Sequence, residues 1–330
     1  MFFILLISLA VILSGRAYAR VFKGQLHLHT NLSDGDGDPD LAARTYGELG
    51  FDFAAFSDHS VYYDPALSVK RKPEGLLLLG AQELSFMCRN RMGTLVPFHA
   101  NAIGIHAGIR TEEIRDSLAR QAGACVTDTL AAGGIPMLNH PNFRYAYSFD
   151  EILHITEPYL MEVINMHSGV PNEGSPAFPS HERIWDTLLT AGRTVYGTGT
   201  DDAHVYDSSL RHRRNSPGMA WIMLEAESLT EENVLSSLRR GAFYSTTGPE
   251  LESCLLSRDR ASVRLKDADR SYRIEFIGRH GALLKASTGP EAEYEIKGDE
   301  MYVRIKAYDT GGNALLTQPV FLDGRQTVIE

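Results

Sequence analysis

The stretch QLHLHTNLSDGDGDPD, residues 25–40, sets His27 and His29 one residue apart in an apolar run and then places aspartates at 34, 36, 38 and 40. Imidazoles and carboxylates are metal-ligand types, and two kinds of site compete for these. A calcium loop of the EF-hand type needs oxygen ligands at loop positions 1, 3 and 5, glycine at 6 and a bidentate glutamate at 12. Counted from Asp34, position 6 is Pro39 and position 12 is Thr45, so the turn residue and the closing ligand are both missing. Asp38 followed by Pro39 reads instead as the cap and first residue of a helix through Leu41, Ala42, Tyr46 and Leu49 that stops at Gly50. Asp34 is left beside the two histidines.

Residues of the same kinds recur where other apolar segments end. Asp58 and His59 close FDFAAFSDH, Glu83 closes GLLLLGAQE, His99 lies in VPFHANAIGI, His140 ends IPMLNH, and Asp202 with His204 follows TVYGTG. His167 follows LMEVINM and is placed to reach a substrate at the same end. Singly, each has an ordinary explanation as a cap, turn or surface group. Together, six histidines and several carboxylates at matching ends would be costly to bury uncompensated, and divalent cations supply the compensation. Asp58, directly before His59, is expected to orient that imidazole rather than to bind metal. His154, His181, His212 and His280 read as structural or surface residues, and His106 stands beyond a strand with no carboxylate near it in sequence.

The elements that must carry these residues alternate. Strand candidates QLHLHT, FDFAAFSDH, GLLLLGAQE, VPFHANAIGI, IPMLNH, LMEVINM, TVYGTGTDDAH and GMAWIMLEA are interleaved with amphipathic segments. One of these is TEEIRDSLARQAGACVTDTLAAGG, with Thr111 as cap and Ile114, Leu118, Val126 and Leu130 facing a core; SHERIWDTLLTAGR is another. Such alternation predicts a parallel sheet, and seven or eight units favour a barrel, whose strand ends share one rim. From about Leu251 the texture changes to short alternating strands, RSYRIEFIG, AEYEIKG and MYVRIKAYD, with no helical stretch between them. The expected organisation is a leader over 1–19, a barrel carrying the metal-type residues over 20–250 and a β-sandwich-like module over 251–330.

FFILLISLAVIL followed by SGRAYA has the apolar run and small-x-small ending of a signal peptide cleaved after Ala19, which predicts a secreted or periplasmic protein. The leader has no Lys or Arg before its apolar run, so a retained membrane anchor is the alternative. The chain carries a formal net charge of −10, and removing residues 1–19 takes away only Arg16, leaving it more acidic still. That balance disfavours nucleic acid as a partner. Cys88, Cys125 and Cys254 are widely spaced and form no C-x-x-C pair, which gives no zinc knuckle; one disulfide or three buried thiols both remain open.

With H-x-H, S-D-G, D-H, a strand-end Glu, a later His, N-H-P and D-A-H in this order, the sequence resembles the PHP family, named for polymerase and histidinol phosphatase domains. The resemblance covers roughly residues 21–250 and implies a distorted (β/α)7 barrel with a trinuclear metal site at its C-terminal rim. HANAIGI, GAFYSTTGP, YVRIKA and TQPVFLD extend it toward the carbaryl-hydrolase-type metallohydrolases, over most of the chain. Carried onto this sequence, the family pattern gives one ion His27, His29, Glu83 and Asp202. Glu83 bridges to a second ion held also by His99 and His140, and Asp34, His59 and His204 hold a third. Asp202 is chosen over Asp201 because it begins the D-x-H step. Glu83, His140 and Asp202 are the residues expected closest to the reaction.

The implied activity is hydrolysis by a hydroxide bridged between ions, since coordination lowers the pKa of water from about 15.7 toward 7. Two to three divalent ions, Zn, Mn or Fe, suit a set mixing imidazole and carboxylate. No G-x-S-x-G elbow offers a serine nucleophile. The favoured substrate is a small-molecule phosphoester, with Arg144 after NHPN as the partner of a phosphate oxygen. A carbamate or carboxylic ester is the rival on the same site, and a noncatalytic metal-containing envelope binding protein is the rival of another class.

Overall fold

The computed structural model describes residues 11–13, 20–111, 115–207, 209 and 215–324. His212 lies outside the described residues, as does the leader read over 1–19 except for Val11–Leu13 (β1), which pairs antiparallel with Leu251–Leu256. No helix among the described residues is long and apolar enough to cross a membrane.

The chain is α/β. Its strands are Arg20–Gln25 (β2), Phe53–Phe56 (β3), Leu77–Arg89 (β4), Leu95–Ile103 (β5), Ile135–Leu138 (β6), Tyr159–Asn165 (β7) and Val195–Thr200 (β8). Between them run Pro39–Glu48 (α1), Pro65–Ser68 (α2), Leu118–Ala131 (α3), Phe149–Ile152 (α4) and His181–Thr190 (α5). Side-chain caps start the helices: the Leu41 amide donates to Asp38 Oδ1 at 2.7 Å with Pro39 in the first turn, and Ser180 caps α5. Gly50, at φ +71, takes the left-handed conformation that follows α1. Thr111 is not the cap expected of it; Ser117 starts α3.

β2 to β8 pair in order, and the ring closes beyond β2 and β8 through a parallel bridge between Leu28 and Ala203, where the His29 amide donates to Ala203 O at 2.9 Å. The result is a distorted seven-stranded barrel, but its strands are not all parallel. β5 runs antiparallel to both β4 and β6, because β4 continues past the rim as one arm of a hairpin. GMAWIMLEA, expected as a further barrel unit, is Trp221–Ala226 (β9), which lies outside the ring, antiparallel to β2. Glu231–Arg239 (α6) and Phe243–Thr246 (β10) follow it.

The remaining strands are antiparallel: β11 (Leu251–Leu256), Arg260–Leu265 (β12), Tyr272–Gly278 (β13), Ala282–Thr288 (β14), Glu291–Glu295 (β15), Tyr302–Asp309 (β16), Ala314–Thr317 (β17) and Val320–Phe321 (β18). β17 pairs with β10, so one continuous sheet runs from the barrel into the C-terminal strands. A buried ionic contact joins the two regions at α5. Arg304 on β16 donates from Nε to Asp186 Oδ1 at 2.9 Å and from Nη2 to Asp186 Oδ2 at 2.8 Å and Glu182 Oε2 at 3.0 Å. Tyr302 OH donates to Asp186, Lys306 pairs with Glu182, and the Arg304 guanidinium lies over Trp185. Cys88, Cys125 and Cys254 are free and buried, and burial pushes their thiols up to about 11, 12 and 12.

Candidate metal centre

Alternation beyond β2 aims His27 and His29 into the barrel mouth, where their Nε2 atoms stand 3.1 Å apart. Glu83 comes from β4, opposite Asn101 of β5, and the hairpin register puts His99 two residues off, opposite Ser85. An antiparallel strand thus delivers His99 to the same rim that the parallel strands reach with their C-terminal ends. His140 and Asp202 follow β6 and β8 in the left-handed region, at φ +26 and +50. Such strain is stored where the surroundings hold it. Here the His140 amide donates to Glu162 Oε2 at 2.8 Å, and Asp202 Oδ2 accepts from Asn165 Nδ2 at 3.1 Å.

All nine residues expected as ligands meet. Their donor atoms converge in four overlapping sets: His27, His29 and Asp202; His27, Glu83 and His140; His59, Glu83 and His99; and His29, Asp34, His59 and His204. Within each set the atoms lie within 4.8 Å of one another. The grouping departs from the resemblance at three residues, since His27 also converges with His140, His29 also reaches the Asp34 set, and His59 joins Glu83 and His99. His27, His29 and Glu83 are sealed, whereas Asp34 is 55 % exposed, so the cluster opens toward solvent on the Asp34 side.

These atoms fit a cation on their own chemistry. His27 Nδ1 donates to Glu162 Oε1 at 2.7 Å, which leaves the Nε2 lone pair of the neutral ring facing Glu83 Oε1 at 3.2 Å and Asp202 Oδ1 at 3.4 Å. A buried lone pair against two carboxylates is unfavourable without a positive charge between them. Glu83 Oε2 and His99 Nδ1 are likewise buried without an aligned hydrogen-bond partner. Without metal, protons fill the role. Burial works to lower His27, but Asp202, Glu83 and Glu162 outweigh it and hold it well above its ordinary value. Burial also opposes the charge on His59, yet Glu83 and Asp34 bring it up to about 9. For Glu83 burial would raise the carboxyl, but His59, His99 and His27 hold it well below the usual range.

Asp201, rejected as a ligand, is fully engaged elsewhere: it accepts the amides of Gly218, Met219 and Ala220 at 2.6–2.8 Å and the Tyr46 hydroxyl at 3.1 Å. Asp58 does not orient His59. Its oxygens accept from the Thr30 amide and hydroxyl and from Ser33, bracing the loop between His29 and Asp34, while His59 Nδ1 meets Ser85 Oγ at 2.7 Å. His167 reaches the rim, its ring 5.2 Å from that of His204. Arg144 is exposed on a short turn, its guanidinium 6.0 Å from the centre of the Phe143 ring, and no carboxylate among the described residues pairs with it. His106 does find a carboxylate, Glu231, far along the chain and away from the cluster. His181 is buried and its Nε2 accepts the Asn142 amide at 3.1 Å, just past His140.

Sequence reasoning missed the groups that orient the ligands. Glu162 gathers His27 Nδ1, the His140 amide, Asn165 and Thr200 around one buried carboxylate. Burial would raise its pKa, but His27 and His140 outweigh this and keep it below its ordinary value. Asn139 donates to Glu83 Oε1 at 2.7 Å and to Asn101 Oδ1 at 2.8 Å. The available signal was the lone acid in the apolar run LMEVINM and the amide next to His140 in NHP.

No family model and no curated protein matches the chain. Among solved structures it is similar to a two-domain protein from Bacteroides vulgatus containing a predicted PHP-like metal-dependent phosphoesterase, at 14% identity over 92% of this chain and 96% of that one, TM-score 0.48. A protein from Bifidobacterium adolescentis assigned as a metal-dependent phosphoesterase matches at 15% identity over 59% and 89%, TM-score 0.37. An amidohydrolase from Chromobacterium violaceum, with bound sulfate and no metal, matches at 15% over 59% and 92%, TM-score 0.39. At these values the function of the site has to be read from its own atoms.

Proposed function

We propose that the protein is a metal-dependent hydrolase of the PHP type acting on a small phosphoester. The observation that carries the reading is the buried convergence of His27, His29, Glu83, His140 and Asp202, whose lone pairs and charges face one another, with Glu83 Oε2 left without an aligned hydrogen-bond partner. Up to three divalent ions held by these residues with Asp34, His59, His99 and His204 would lower the pKa of water and polarise the ester oxygen.

The chain's own residues do the rest. Glu162, Asn165 and Asn139 hold His27, Asp202 and Glu83 in one arrangement, so no reorganisation is needed as charge develops. Arg144, exposed and free of carboxylate partners among the described residues, favours the phosphoester reading, because a phosphoryl group spreads negative charge over several oxygens that a guanidinium can pair. The second reading, a carbamate or carboxylic ester, is favoured by the apolar ring of Phe143 packed beside His140 and His99. Export through the N-terminal leader belongs to the same proposal and rests on the sequence alone.

The test is kcat/KM for p-nitrophenyl phosphate, its bis-ester and an aryl N-methylcarbamate on one metal-loaded preparation, with metal content measured alongside. Phosphoester turnover is expected to lead. A carbamate preference of about a hundredfold, roughly 2.7 kcal/mol in transition-state stabilisation, would overturn the phosphoesterase reading. Less than one equivalent of metal after reconstitution would overturn the site.

A further inference from the structure

The residue of the rim least explained by metal binding is Phe143. Its half-buried ring packs on two expected ligands, 5.3 Å from the His140 ring and 6.0 Å from that of His99, and stands perpendicular to His167, 5.8 Å away at 85°. The turn that carries it is strained: Arg144 and Tyr145 both lie at φ +51, a conformation disfavoured for residues with side chains. Several contacts hold it there. Asn142 Nδ2 donates to the carbonyls of Pro171 and Pro179, its amide donates to His181 Nε2, Tyr147 OH donates to Asn139 O at 2.6 Å, and Tyr145 stacks on Phe178 at 4.5 Å. The fold therefore fixes a partly exposed aromatic ring beside the ligands.

The other wall of this corner has a defined polarity. The Gly169 amide donates to His167 Nδ1 at 3.0 Å, so in the neutral ring the proton sits on Nε2, leaving one N–H donor. His167 also packs against His204, which places it between the opposite sides of the cluster.

We propose that Phe143 and His167 form the leaving-group subsite of the cluster, and that it takes an aromatic ring. The inference rests on the phosphoesterase reading for its chemistry, although the corner itself does not. A planar ring lying against Phe143 presents its edge to His167, and the ester oxygen comes within reach of the Nε2–H. As the oxygen of water bonds to phosphorus, the bond to the aryl oxygen breaks. The electron pair leaves with that oxygen, His167 donates a hydrogen bond to it, and the protons of water stay on the phosphate product.

The experiment compares wild type, Phe143→Ala and Phe143→Leu, each metal-loaded, on phenyl phosphate and ethyl phosphate. The intrinsic reactivity of the two esters cancels when the aryl-to-ethyl ratio of kcat/KM is compared between proteins. Phe143→Ala should lower that ratio roughly five- to tenfold with metal content unchanged, and Phe143→Leu by less, since an apolar surface remains. His167→Ala should lower kcat more than it raises KM, and more for ethyl phosphate, whose leaving oxygen is the more basic. Calorimetric binding of phenylphosphonate against methylphosphonate gives a readout without turnover, and its phenyl preference should fall in Phe143→Ala. If wild type hydrolyses neither ester yet shows that phenyl preference, the subsite stands and the phosphoesterase reading falls. An unchanged aryl-to-ethyl ratio in Phe143→Ala, or loss of metal from both Phe143 variants, would overturn the proposal.

Discussion

Lowering the pH from 7 to 5 should strip stability from this protein through His181. The ring is fully buried at the start of α5, and its Nε2 must stay unprotonated to accept the Asn142 amide at 3.1 Å. Burial pushes its pKa down to about 3. In the unfolded chain the ring titrates near about 6.5, so between these values the unfolded state binds the extra proton and stability falls as pH falls. The slope approaches about 1.4 kcal/mol per pH unit, and integration between pH 7 and pH 5 gives a loss of about 2 kcal/mol. His181→Gln is the comparator, because its side-chain oxygen can still accept the Asn142 amide and does not titrate. Urea unfolding of chelator-treated protein at both pH values supplies the assay. The cluster histidines shift in both directions, His27, His59, His140 and His204 upward and His29 and His99 downward, but they contribute equally to both proteins and cancel in the double difference. A wild-type-minus-variant difference that changes by less than about 0.5 kcal/mol between the two pH values would refute the reasoning. Because Asn142 lies between His140 and Phe143, the same loss should loosen the turn that carries Phe143.

Three further outcomes follow from the same contacts. Glu83→Gln should reduce activity more than Asp34→Asn, because Glu83 lies in two of the convergent sets and is sealed from solvent while Asp34 lies in one and is half-exposed; equal small losses in kcat/KM would count against this layout. Glu162→Gln cannot accept from both the His27 ring and the His140 amide and also from Asn165 and Thr200 without placing its own NH2 against a donor, so metal affinity in chelator competition should fall about 10- to 100-fold. Affinity within twofold of wild type would remove Glu162 from the site. Arg304→Ala leaves Asp186 and Glu182 without their guanidinium and should cost about 3–5 kcal/mol in urea unfolding, a loss below about 1 kcal/mol showing that the junction at α5 is not held by this pair.

What the sequence determined by itself was local chemistry and local geometry. The H-x-H step aims both imidazoles to one side because strand alternation has period two, Asp38 and Pro39 start a helix because cap and ring constraint act within one turn, and Gly50 ends it for the same short-range reason. The ends of apolar runs drew attention to the histidines and most of the carboxylates, and the family resemblance chose nine ligands among the metal-type residues. Tertiary structure decided what depended on contacts between segments far apart. The turn of β5 to run antiparallel follows from the pairing of β4 with its own hairpin arm, which no single-segment periodicity encodes. Asp58 reads in sequence as a partner of His59, and Asp201 stands beside the chosen Asp202, but amides and hydroxyls of other segments claim their oxygens. Glu162 looks like an interruption in an apolar strand, and only the closing of the barrel brings His27, His140 and Thr200 around it, since a buried carboxylate takes its role from the donors that surround it.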